Sequence, residues 1–140
     1  MAMASPQLAW HCYLASALQG YSEAQCRLGL LSASDPKASF EWFAKAAAQG
    51  QALAQYHVGH CYEHGIGIQA VSCSEAVRWY QAAAVQGVPA AQMALGACYR
   101  QGKGVAEDLN EAVRWYKEAE KNGMVEAGVV IAQIGAMLTV

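Results

Sequence analysis

Three histidines fall at positions 57, 60 and 64, a spacing that places all three imidazoles on one face of a helix. Imidazoles one turn apart can share a transition-metal ion, and Cys61 and Glu63 stand beside them in sequence. The sharp chemical reading is therefore a metal site at His57, His60 and His64. The competing reading is a polar stripe on a binding surface, and it is preferred. The histidines occur in one segment of the chain, and no catalytic partner is evident. Ser, His and Asp are all present, yet no nucleophile–base pairing is readable. We expect no catalytic residue, no resident metal and no cofactor.

Other residues capable of chemistry have structural explanations. Gly65-x-Gly67 and Gly102-x-Gly104 could suggest phosphate loops, but each follows a helical pattern rather than a strand. Helix termination and turning account for them. Trp42, Trp79 and Trp115, with Phe43, Tyr80 and Tyr116, could form an aromatic cage; their fixed periodic positions indicate core packing instead. The five cysteines, Cys12, Cys26, Cys61, Cys73 and Cys98, are odd in number and form no C-x-x-C pair. Free thiols in a reducing compartment are expected, hence a cytoplasmic location, with export of a mature form as the alternative.

The elements that carry these residues repeat. A segment ending in Gly begins at Ala9, Ser39, Ala76 and Ala112 and closes at Gly20, Gly50, Gly87 and Gly123. A second segment reads Ala24-Gln25-Cys26-Arg27-Leu28-Gly29, Ala54-Gln55-Tyr56-His57-Val58-Gly59 and Ala91-Gln92-Met93-Ala94-Leu95-Gly96, with a weaker copy from Ala127. Both markers step by 30, 37 and 36 residues, so two independent features define one ladder. The composition favours helix, and apolar positions such as Ala76, Trp79, Tyr80 and Ala83 fall at three- and four-residue steps. Ser5, Asp35, Ser72 and Asp108 each stand four residues before the first marker, as N-caps should. Ser72-x-x-Glu75 and Asp108-x-x-Glu111 have the form of capping boxes. The closing glycines suit left-handed C-terminal caps. We expect B helices near 6–19, 36–49, 72–86 and 108–122, and A helices near 22–33, 52–64, 89–101 and 125–138. Gly29, Gly59 and Gly96 fall inside A helices, where Gly costs about 1 kcal/mol against Ala. A large B-helix aromatic packed over each is the expected reason.

The run from Ala91 to Gly123 contains Leu95, Gly96, Tyr99, Gly102, Gly104, Val105, Asp108, Ala112, Trp115, Tyr116 and Ala119 in register. In this it resembles the Sel-one-like repeat family, a branch of the tetratricopeptide-repeat superfamily. The copy from Ala54 to Gly87 has one extra loop residue and Ser72 in place of the Asp; that from Ala24 to Gly50 lacks six loop residues, including G-x-G. The resemblance implies an all-α, right-handed αα-superhelix of about eight helices. It implies one domain over 1–140, with units near 1–20, 21–50, 51–87, 88–123 and 124–140, the outer two partial. It implies roles as adaptors, assembly factors, secretion-linked proteins or toxin-neutralising partners, and no catalytic residues.

In such folds helix A lines the concave side. Counting from Ala24, Ala54 and Ala91, positions four, seven, eight and eleven are the variable ones. They give Arg27, Leu30 and Leu31, then His57, His60, Cys61 and His64, then Ala94, Ala97, Cys98 and Gln101. This set is the expected partner groove, suited to a helix or an extended peptide. The last A helix carries Val129, Val130, Ile131, Ile134, Met137 and Leu138 with almost no charge between them, which predicts cover by a second copy or another protein.

The bulk numbers agree with this class. Of 140 residues, 55% are hydrophobic and 14% charged, so a packed core is expected. A net charge of −2 offers no footprint for nucleic acid. No stretch is apolar for the roughly 18 residues that a membrane span needs. The expected function is a protein-binding adaptor. The alternative is an immunity protein that occludes a bacterial toxin, and a metal-dependent hydrolase is the least favoured.

Overall fold

The computed structural model describes residues 6–138, and among them every regular element is an α-helix. The helices are α1 (Pro6–Leu18), α2 (Ser22–Leu31), α3 (Pro36–Ala48), α4 (Ala52–His64), α5 (Cys73–Val85), α6 (Pro89–Gln101), α7 (Leu109–Lys121) and α8 (Glu126–Leu138). Odd-numbered helices are the B helices of the ladder and even-numbered ones the A helices. Boundaries lie within one residue of the sequence expectation except at α2, which stops two residues early. The shortened loop brings the Asp35 cap forward, and the chain must turn at Ser32–Ser34. The expected cap at Ser5 lies outside the described residues.

Local chemistry explains the other ends. Asp35, Ser72 and Asp108 accept from the backbone N–H of Ala38, Glu75 and Glu111 at 3.2, 3.3 and 3.1 Å. The capping boxes close only on this side. The backbone N–H of Ser72 donates to Tyr62 O, and that of Asp108 to Tyr99 O, each at 2.9 Å. A tertiary bond to the preceding A helix thus replaces the expected reciprocal one, and Glu75 and Glu111 pair with Arg78 and Arg114 instead. Gly20, Gly50, Gly87 and Gly123 all have positive φ, as the caps require.

Each helix packs chiefly on its chain neighbours, and four apolar clusters follow one another along the chain. The molecule is therefore a helical-repeat solenoid, whose stability is a sum of units and nearest-neighbour interfaces. Within a unit the A and B helices close over the helix-interior glycines. A Cβ on Gly29 would meet the Phe43 ring at 2.6 Å, one on Gly59 the Tyr80 ring at 2.8 Å, and one on Gly96 the Tyr116 ring at 3.1 Å. The aromatics expected over the glycines are there.

The glutamine beside each helix-A Ala forms a second, polar ladder. Gln25, Gln55 and Gln92 are buried. They accept from Gln49, Gln86 and Asn122 at 2.7, 2.8 and 3.0 Å, and Gln25 and Gln92 donate to Ala17 O and Ala84 O. Gln25 and Gln92 each tie the end of one B helix to the end of the next, whereas at Gln55 the Gln86 amide itself makes the second contact, donating to Gly50 O at 3.1 Å.

Candidate functional site

The A-helix pattern divides cleanly by burial. Positions one, two, five and six are buried in α2, α4 and α6, which fixes the inward face. Arg27, Leu30, Leu31, His64 and Gln101 are exposed, and His57, His60, Ala94 and Ala97 are partly so. Among the described residues, Arg27 pairs with exposed Glu23 at 3.4 Å, a solvent-screened contact that a partner can replace.

Two of the expected groove residues do not belong to that face. Cys61 and Cys98 are 5% and 2% exposed and sit in the core. Position eight is buried in both α4 and α6, and in α6 Cys98 joins the apolar cluster on which Val105 of the following loop packs. In the shortened first unit the same position, Leu31, stays outside. Burial raises the Cys61 thiol above its ordinary value, and burial with the nearby Glu63 charge pushes Cys98 up to about 11. Both are protonated packing groups rather than nucleophiles.

The three histidines also separate. His57 lies flat on Phe43, with ring centroids 4.5 Å apart and planes at 17°. Burial and the neighbouring His60 keep its pKa below the usual imidazole range. His60 and His64 face each other at 4.4 Å between centroids. The third group beside them is Glu63, not His57: one ligand atom from each of His60, Glu63 and His64 lies within 4.8 Å of the others.

Glu63 is the residue that helix-face counting overlooked. Its Oε1 accepts from the Tyr80 hydroxyl at 2.6 Å, and its Oε2 pairs with Lys103 Nζ at 3.1 Å. Burial alone would raise its pKa, but the Tyr80 and Lys103 hydrogen bonds outweigh that and hold it below the ordinary carboxylate value. The carboxylate joins α4, α5 and the loop after α6. The sequence signal was available, since Glu63 follows His60 by three and precedes His64 by one, the H-x-x-E-H order of some metal sites.

Open clefts lie elsewhere. One runs between α5 and α7, lined by Val85, Arg114, Trp115 and Glu118. Another lies between α7 and α8, floored by Val113, Ile131 and Leu138, with Arg114 and Lys117 on its rim. Among the described residues, no helix is long and apolar enough to cross a membrane.

Comparison with known proteins places this geometry. The Sel1 repeat model matches residues 3–21, 22–51, 52–88 and 89–124. The chain is similar to a protective antigen of uropathogenic Escherichia coli with an SLR fold, at 33% identity and a TM-score of 0.80, over 84% of this chain and 26% of that one. It is also similar to a Sel1 repeat protein from Oxalobacter formigenes, at 34% identity and a TM-score of 0.77, over 81% of this chain and 49% of that one. Helicobacter pylori cysteine-rich protein B shares the fold at 24% identity, with a TM-score of 0.69 over 84% of this chain and 93% of its own. A curated relative, DAP3-binding cell death enhancer 1 of Rattus norvegicus, is 40% identical over 63 residues; these span 42% of this chain and 12% of that protein.

Proposed function

Because this chain belongs to the Sel1 repeat family, we propose that it is a protein-binding adaptor that takes a partner helix or extended peptide along its A-helix stripe. Proteins of this family are generally interaction modules, and no catalytic family is indicated. The observation that carries the reading is the accessible stripe Arg27, Leu30, His57, His60, His64, Ala94, Ala97 and Gln101 beside a fully buried inward face. Its mixture of small, apolar and imidazole groups suits a short amphipathic segment. The rat relative is itself named as a binding protein.

Affinity capture from the native host with mass spectrometry tests this. Arg27→Glu, Leu30→Glu and Gln101→Glu together alter three exposed side chains. The triple variant is expected to fold and to lose the partner held by the unaltered chain. Full retention would show that the stripe is not the binding face.

Cover of α8 by a second copy is part of the same proposal. Counted from Ala127, its positions five and six are Ile131 and Ala132, half-buried and exposed, where α6 buries Leu95 and Gly96 against α7. Val129 and Met137 are exposed beside them. Light scattering should show a dimer at high protein concentration, and Val129→Glu with Met137→Glu should return it to a monomer. A monodisperse monomer of the unaltered chain at its highest soluble concentration would count against self-association.

A further inference from the structure

His60 and His64, two members of the proposed partner stripe, also form a cluster with Glu63 on α4. We propose that His60, Glu63 and His64 form a site for a single borderline divalent transition-metal ion, zinc in the first instance. The three side chains rise from one rigid helix, and their ligand atoms already lie within 4.8 Å of one another. A tetrahedral zinc with bonds near 2.1 Å needs ligand atoms about 3.4 Å apart. Closing that gap takes small rotations of His60 and of His64, which is exposed. His64 Nε2 is already 3.5 Å from Glu63 Oε1.

The donor set selects the ion class. Two imidazoles and one carboxylate suit zinc, nickel or copper, whereas magnesium and calcium prefer all-oxygen shells. A fourth position would be open to solvent. Glu63 is oriented from behind by Tyr80 and Lys103, as carboxylate ligands commonly are. Its two oxygens offer about four acceptor positions, so two hydrogen bonds do not exhaust it. Lys103 is the opposing feature, because its ammonium competes for the same carboxylate. His57, stacked on Phe43, and Cys61, in the core, stand outside the set.

The test uses the tag-free 140-residue chain with its exposed thiol removed by Cys12→Ser. The protein is stripped with chelator, kept reduced with a phosphine and titrated with zinc chloride by calorimetry. One ion per chain is expected. His64→Ala, a surface change, and His60→Ala should each weaken binding roughly tenfold or more, and His57→Ala should leave it unchanged. Lys103→Met should tighten it several-fold by removing the competing charge. Absence of binding heat, or affinity retained in both His60→Ala and His64→Ala, would overturn the site. Unchanged affinity in Lys103→Met would remove Glu63 from it.

Discussion

Tyr80→Ala is expected to lower the unfolding free energy by about 3–5 kcal/mol, the range for deleting a buried aromatic ring. Tyr80 is 1% exposed, the bulkiest of the side chains most completely withdrawn from solvent. Its ring covers Gly59 and belongs to the cluster that continues through Leu95, Cys98 and Trp115. Truncation would leave a cavity opposite a glycine, which has no side chain to collapse into it. It would also strip Glu63 of the hydroxyl donor at 2.6 Å. A domain of this size has a total stability of about 5–15 kcal/mol, so the loss is a large share. In a solenoid the damage falls at a central unit and separates the two halves. Tyr80→Phe isolates the hydroxyl and should cost about 1–2 kcal/mol, because Lys103 still pairs with the carboxylate. Urea unfolding followed by circular dichroism measures both. A loss below about 1 kcal/mol for Tyr80→Ala would contradict the packing described.

Gly104→Ala is expected to cost about 2–5 kcal/mol, from two separable sources. Gly104 has φ +77°, a backbone state costing about 1–2 kcal/mol for an L-residue. A Cβ there would also run into the Cys73 carbonyl and Ser74 N at the start of α5. Backbone cannot swing aside as a side chain can, so overpacking adds about 1–3 kcal/mol. Gly102→Ala is the control. Its φ is +68°, but the nearest atom to its Cβ would be Glu107 Cβ at 3.4 Å, an ordinary contact. It should therefore show the conformational cost alone. Equal thermal shifts for the two variants would refute the close approach. Gly67 repeats the arrangement against Pro36 O, so the second glycine of each G-x-G lets an A–B loop dock on the previous B helix.

Much of this architecture was legible in residue order because the chain writes it repeatedly. The ladder, the caps at Asp35, Ser72 and Asp108, the terminal glycines and the aromatics over Gly29, Gly59 and Gly96 are local or single-interface features. Each recurs at matched positions, so one copy corroborates another. The capping boxes show where that logic stops. Their sequence pattern is local, but the Ser72 and Asp108 N–H groups found better-placed acceptors in Tyr62 and Tyr99 of the packed A helix.

The candidate site divides in the same way. Helical spacing alone brought His60 and His64 together, since i and i+4 lie on one face whatever surrounds them. Spacing could not place His57, because the Phe43 ring that captures it comes from a different helix. Nor could it tell that Cys61 and Cys98 turn inward while Leu31 does not, since burial at one matched position depends on what the rest of the chain packs against it. Glu63 is the clearest case. Its partners Tyr80 and Lys103 lie 17 and 40 residues away, and only packing α4 against α5 and the α6–α7 loop makes that carboxylate a shared anchor. The sequence by itself determined the repeat, its helices and the Ala, Gln, Leu or Val, and Gly positions that the first three A helices bury, because these follow from periodicity and backbone chemistry. The tertiary structure alone decided which polar groups meet, because that depends on the distance between elements remote in the chain.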